Sequence, residues 1–63
     1  MIITRESILT GKTNQLDLPV TLEQIQIWQS GTPIQNVMSH LSIQEREFLI
    51  SGMSKEEQQL IFN

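Results

Sequence analysis

The sequence contains no cysteine, a single histidine and no apolar run longer than three residues. Without cysteine the chain cannot form a disulfide or a thiolate metal site, and one histidine cannot build a zinc site alone. Apolar runs this short cannot span a bilayer, which requires about 20 residues of helix. The sequence therefore predicts no metal, no cofactor and no membrane partner, and the lack of cysteine is typical of a reducing compartment.

The first residues do not predict a secretory leader, and the charges do not form a basic cluster. Residues 2–6 read Ile-Ile-Thr-Arg-Glu, without the basic segment, long apolar stretch and cleavage site of a signal peptide. We therefore expect a cytoplasmic protein. Residues 21–63 carry five acids against two bases, which accounts for the net charge of −3. Because DNA is a polyanion that proteins bind through clustered Lys and Arg, we expect this part of the chain to repel it.

The length of 63 residues allows one domain with a small core. The 24 hydrophobic residues include nine Ile and no Ala. At this size apolar burial, at about 25 cal/mol per Å², roughly balances the chain entropy of about 1.5 kcal/mol per residue. Self-association or a partner would add stability, so we expect a homodimer or a complex with a protein. We expect no deep pocket of several hundred Å³ and no small-molecule substrate.

Four capping boxes divide residues 21–63 into short helices. In each box the hydroxyl of a Ser or Thr accepts the N–H three residues on, and a Glu or Gln at that position reaches back to the N–H of the cap. The four boxes are Thr21 with Gln24, Thr32 with Gln35, Ser42 with Glu45, and Ser54 with Glu57.

Apolar spacing predicts the face that each helix buries. The predicted core residues are Leu22, Ile25 and Trp28 in the first helix, Ile34, Val37, Met38 and Leu41 in the second, and Ile43 and Ile50 in the third. Pro33 is expected at the first helical position of the second helix, and Gly52 ends the third. The fourth helix carries Leu60, Ile61 and Phe62.

Residues 2–20 predict a β-hairpin. Leu16, Leu18 and Val20 alternate with polar residues or Pro, which is the period of a strand with one buried face. The polar residues 10–14 supply the turn. The predicted fold is α+β: a single domain, residues 1–63, in which an N-terminal two-stranded β-hairpin (1–20) packs on three to four short capped helices (21–63).

No residue pattern indicates catalysis. His40 has no obvious nucleophile or carboxylate partner beside it. Glu45 and Glu47 flank Arg46, but neighbouring positions on a helix diverge, so these carboxylates cannot act as a pair. The hydroxyl residues lack a base at a meaningful spacing. We therefore predict no catalytic residues and no enzyme.

Two apolar residues lie off the predicted core faces. Ile27 lies opposite Leu22 and Trp28, and Phe48 diverges from the face of the third helix. They are either clamped between elements of a small helical cluster or part of an exposed patch that marks a partner site.

The exposed-patch interpretation leads to a set of candidate partner-binding residues. Trp28 is of the residue type most frequent at binding hot spots, although it is also a suitable core residue. Gln35 and Arg46 are added to Trp28 and the two off-face residues. The candidate set is Ile27, Trp28, Gln35, Arg46 and Phe48.

Several segments resemble one family of short proteins. They are Ile3-Thr4-Arg5, Leu9-Thr10-Gly11-Lys12, Leu18-Pro19-Val20-Thr21, Trp28 with Gly31, Ile34-Gln35, and Arg46-Glu47-Phe48-Leu49-Ile50-Ser51-Gly52. The chain resembles a family of largely uncharacterised proteins encoded by tailed phages and other mobile or bacterial genomes. The resemblance implies a small accessory protein and assigns no site residue. The late Trp of that family is absent here, and Phe62 alone echoes its ending.

Two functions follow as hypotheses. The first is a non-enzymatic cytoplasmic module that binds a protein partner, a host factor if the resemblance to phage proteins holds. The alternative is a small nucleic-acid-associated regulator that acts through Arg5, Lys12 and the hairpin, with steeply salt-dependent binding.

Overall fold

The computed structural model describes the backbone of residues 1–62 and the side chains of residues 1–61. Two strands, β1 (Ile2–Glu6) and β2 (Thr13–Asp17), precede four helices, α1 (Leu22–Gln29), α2 (Ile34–Val37), α3 (Ile43–Ser51) and α4 (Lys55–Phe62). The strands form a two-stranded antiparallel sheet, so the predicted α+β fold with an N-terminal hairpin is confirmed. The side chain of Phe62 and residue Asn63, which the sequence predictions include, lie outside the described part.

Three of the four capping boxes form as the sequence predicts. In each, the hydroxyl accepts the N–H of the third helical residue, and that residue's side chain accepts the N–H of the cap. The boxes are Thr21 with Gln24, Ser42 with Glu45, and Ser54 with Glu57. These caps fix where α1, α3 and α4 begin.

The predicted second helix is shorter than expected, and its capping box is absent. Helix α2 spans four residues and begins after Pro33, which takes the N-cap position and whose ring has no atom that can accept a capping hydrogen bond. Gln35 is therefore the second helical residue, one short of the position that a box with Thr32 requires. After Met38 the chain tightens into a turn in which the N–H of Leu41 donates to the carbonyl of Met38. Met38 and Leu41 are nevertheless buried, as the spacing predicts.

The buried face of α3 differs from the predicted one. Phe48 and Leu49 are each 2% exposed, whereas Ile43 is 78% and Ile50 is 50% exposed. The prediction that Ile43 and Ile50 form the core face while Phe48 points away is therefore wrong. Apolar residues occupy several sides of this helix, so their spacing does not single out one face, and tertiary contacts decide it.

The hairpin is shifted relative to the prediction. The turn spans residues 7–12, with the N–H of Ser7 donating to the carbonyl of Lys12 at 2.8 Å. Strand β2 ends at Asp17, so Leu18 and Val20, predicted as strand residues, follow it. Both are buried, and they join the core of the molecule. That core consists of Leu18, Val20, Met38, Leu41, Phe48 and Leu49, against which Ile3, Ile25, Trp28, Ile34 and Val37 pack.

The inner face of the hairpin rests on the junction between α3 and α4. The N–H of Ile8 donates to the carbonyl of Ser51 at 3.0 Å, and the side-chain amide of Asn14 donates to the carbonyl of Gly52 at 2.9 Å. Gly52 ends α3 with φ +76°, and a Cβ placed on it would overlap the carbonyl oxygen of Glu6. A glycine is therefore required at this position both by its backbone angle and by the close approach of β1.

Candidate functional site

An open groove lies between β2 and the first turns of α3 and α4. Its volume is about 560 Å³, within the range of ligand-binding clefts. From the length of the chain we expected no pocket of this size. A chain this small can form a groove of this volume because the groove is open to solvent along one side and is not enclosed within a core.

The floor of the groove is apolar and firmly held. Phe48 of α3 and Met53 of the α3–α4 connection are each 2% exposed, and Leu16 of β2 is 40% exposed. The buried side chain of Gln58 donates to the carbonyls of Met53, at 3.1 Å, and Gln44, at 3.0 Å. It thereby ties α4 to α3 and to the α3–α4 connection, so the floor is in place before any ligand arrives.

One wall of the groove is the free edge of β2. Asn14, Gln15 and Leu16 all line it, although side chains along a strand point alternately to opposite faces. Three consecutive residues can line one cavity only if it runs along the edge of the strand. In the register observed, Gln15 lies opposite Thr4.

The hydrogen-bonding pattern of the sheet shows where the backbone of Gln15 points. The N–H of Leu18 donates to the carbonyl of Met1, and the N–H of Ser7 donates to the carbonyl of Lys12. Because bonded and non-bonded pairs alternate along an antiparallel ladder, the pair of Thr4 and Gln15 is a non-bonded one. The N–H and C=O of Gln15 are therefore directed away from β1, and Gln15 is one of the residues that line the groove.

Charged residues on the rim are more acidic than basic. Glu45 and Glu56 stand against Lys55. One ion pair is found among residues 1–62, between the N-terminal amino group and Asp17 at 3.1 Å. The charges on the rim are thus available to a ligand, apart from the oxygen of Glu45 that accepts the N–H of Ser42 at 2.8 Å.

Glu57 lies below the rim and is the most constrained acid of the described residues. It is 7% exposed, and its carboxylate accepts bonds from the hydroxyl of Thr10, the amide of Asn14 and the N–H of Ser54. The bond from Thr10 is the largest cause that holds the pKa of Glu57 well below its ordinary value of 4.5. The Ser54 backbone, the hydroxyl of Ser7 and the amide of Asn14 act in the same direction and together outweigh the opposing effect of desolvation.

The role of Glu57 is therefore to tie α4 to the turn and the second strand of the hairpin. A carboxylate with a lowered pKa and occupied oxygens is a poor general base, and its bonds join residues 43 and 47 positions apart. The sequence identifies Glu57 as part of a capping box. Its bonds to Thr10 and Asn14 leave no signal in the sequence.

The predicted partner-binding residues fall into two groups. Ile27, Trp28 and Gln35 belong to α1 and α2, which pack against each other. Ile27 is 39% exposed, Trp28 is half-buried against the core, and Gln35 is exposed. Arg46 and Phe48 belong to α3, where Arg46 is half-buried and Phe48 is buried. Of the five, Phe48 lies at the groove, so the structure does not gather the predicted set into one site.

Other chemistry has little support in the described part of the chain. His40 is exposed, and its Nε2 atom donates to the carbonyl of Pro19 at 2.7 Å, which is a structural contact. No group of three acidic or histidine side chains among residues 1–62 is placed to hold a metal ion. Within the same range, no helix has the length and apolar character needed to cross a membrane.

Comparison with known proteins leaves the resemblance to phage proteins as a prediction. No family model matches the chain, and neither a curated protein nor a solved structure matches it significantly.

Proposed function

We propose that this protein is a small non-enzymatic interaction module that binds an extended segment of a partner protein in the groove along β2. If the resemblance to phage proteins holds, it acts in the cytoplasm of a host cell on a host protein. The observation that carries the proposal is the combination of an apolar floor with the free backbone edge of a strand, at Gln15.

An extended segment fits both parts of this groove. Strand addition supplies affinity through backbone hydrogen bonds, and side chains that enter adjacent pockets supply specificity. The backbone of Gln15 offers one donor and one acceptor to such a strand. The floor formed by Leu16, Phe48 and Met53 offers room for an apolar side chain.

The charge of the rim favours a basic segment. Glu45 and Glu56 outnumber Lys55 at the groove, and the whole chain carries a net charge of −3. A segment with a Lys or Arg beside its apolar residue would be attracted to this rim, and attraction of this kind raises association rates and specificity.

The nucleic-acid alternative depends on Arg5 and Lys12. Arg5 is half-buried, and its guanidinium donates to the carbonyl of Ile50 at 3.4 Å, whereas Lys12 is exposed at the hairpin turn. Because the groove itself is acidic, nucleic acid becomes an outcome of the experiment rather than a second proposal.

A matched pair of proline variants tests the proposal. Gln15→Pro removes the N–H from the proposed binding edge, and Thr4→Pro makes the same change at the opposite position on the other edge of the hairpin. Displayed random peptides are selected on the wild-type protein, in parallel with capture of partners from nuclease-treated bacterial lysate.

We expect enriched peptides that pair an apolar with a basic residue and that bind Thr4→Pro but not Gln15→Pro. In a second matched pair, the same peptides should bind Leu22→Lys on α1 but not Leu16→Lys in the groove. Peptides that bind all four variants equally, or no enrichment at all, would refute the groove as a binding site. Partners that disappear on nuclease treatment would instead support the nucleic-acid alternative.

A further inference from the structure

An apolar stripe with two charges at its centre lies on the side of α3 away from the groove. Ile43 is 78% and Ile50 is 50% exposed, and they are seven positions apart. At 100° per residue, positions 43, 46, 47 and 50 fall within an arc of about 100°. The residues that line the groove, Gln44, Glu45 and Phe48, project from other sides of the helix.

The order of residues along this stripe is self-complementary. It reads Ile43, Arg46, Glu47, Ile50, so that the positions are symmetric about the midpoint between 46 and 47. When a second copy of the helix runs antiparallel across this midpoint, Ile43 meets Ile50 of the second copy and Arg46 meets Glu47 of the second copy. Every contact then occurs twice, as a two-fold interface requires.

We propose that two copies of this chain associate through α3 in this antiparallel arrangement. Within residues 1–62 neither Arg46 nor Glu47 forms an ion pair, so both charges are available. The pairing would match each with an opposite charge and would make the interface neutral, although each chain carries a net charge of −3. The same contact would shield two exposed isoleucines from water.

The size of the stripe limits the strength of association. Helix α3 has nine residues, about 13.5 Å of helix, so a contact through it alone falls below the roughly 1,200 Å² of buried surface that stable complexes need. We therefore expect a reversible dimer with a dissociation constant on the order of 0.1 mM. The groove lies on another side of α3 and would remain open on both copies.

Charge reversal tests the proposal with its own internal control. Arg46→Glu places Glu opposite Glu at both contacts of the dimer, and Glu47→Arg places Arg opposite Arg. Each variant alone should associate at least about tenfold more weakly than the wild type, since like charges replace opposite ones. An equimolar mixture of the two variants restores both opposite-charge contacts and should recover association, as should the double variant Arg46→Glu/Glu47→Arg.

Sedimentation equilibrium from about 20 µM to 2 mM provides the measurement. Circular dichroism of each variant establishes that it is folded. Glu23→Arg on α1 controls for the change in net charge of Glu47→Arg, and Lys12→Glu at the exposed hairpin turn controls for that of Arg46→Glu. Recovery in the mixture identifies the pairing, because a folding defect in either variant would persist there. A wild-type protein that stays monomeric at 2 mM, or variants that associate as the wild type does, would overturn the proposal.

Discussion

A methyl group added at Gly52 should destabilise the protein far more than the same methyl group added at Gly11. The two glycines have nearly the same backbone angle, φ +76° and +75°. They differ in surroundings: a Cβ at Gly11 meets nothing within 4 Å, whereas a Cβ at Gly52 would overlap the carbonyl oxygen of Glu6 and lie 2.7 Å from its carbonyl carbon. Gly11→Ala is therefore a matched control for Gly52→Ala.

The loss of stability expected for Gly52→Ala has two parts. Holding an alanine in the left-handed region costs about 1–2 kcal/mol at either position. At Gly52 the atoms in the way belong to the backbone of β1, so the strand itself must move, which costs about a further 1–3 kcal/mol. A chain this short has a total stability of only about 3–5 kcal/mol. Gly52→Ala should thus leave the protein close to unfolding, while Gly11→Ala remains folded.

Urea unfolding measures the difference directly. The single tryptophan, Trp28, is half-buried against the core and reports unfolding by fluorescence, with circular dichroism at 222 nm as a second probe. We expect the free energy of unfolding of Gly52→Ala to lie at least about 1 kcal/mol below that of Gly11→Ala. Equal losses in the two variants would show that β1 does not rest on the end of α3, and would refute the account of how the hairpin is seated.

Three further predictions concern the capping boxes, the core and pH. Ser42→Ala should lower the free energy of unfolding in urea by about 1 kcal/mol and Thr32→Ala should hardly change it, because Ser42 forms a capping box and Thr32 does not. Equal losses would contradict the observed start of α2. Phe48→Ala should lower the free energy of unfolding by about 3–5 kcal/mol and Ile43→Ala by less than about 0.5 kcal/mol. The reverse order would support the buried face of α3 that the sequence predicts. Because the pKa of Glu57 is lowered in the folded state, its contribution is complete above the ordinary value of 4.5 and is lost as the pH falls below it towards the folded pKa. Urea titrations from about pH 6 to 2 should therefore show a fall in stability that is smaller in Glu57→Gln, and equal slopes would exclude this role.

The sequence predicts features that depend on neighbouring residues. Capping boxes satisfy donors within a single turn of helix, so Thr21, Ser42 and Ser54 mark the starts of α1, α3 and α4 without reference to the rest of the molecule. The one box that fails, at Thr32, fails for a local reason as well, because Pro33 takes the cap position. Helix starts could therefore be read from residues 21–63 almost directly.

Features set by tertiary contacts could not be predicted in this way. The spacing of Ile43, Phe48, Leu49 and Ile50 fits more than one buried face, and the choice depends on the hairpin that α3 packs against. The groove has the same origin. Its walls come from residues 14–16, 42–48 and 53–58, and the edge of β2 forms one of them only because α3 packs beneath β1 instead.

The bonds between the hairpin turn and α4 have a consequence for the order of folding. Thr10 and Asn14 find their partner Glu57 only after 43 or more further residues have been synthesised. An isolated two-stranded hairpin is marginal in water, so the hairpin gains this support only once α4 has been synthesised. Closing loops this long is slow, and we expect folding to be a single late event. Amide exchange should then show Ile8 and Gln58, at opposite ends of the chain, opening together; exchange at two unrelated rates would show that the hairpin and α4 are separate cooperative units.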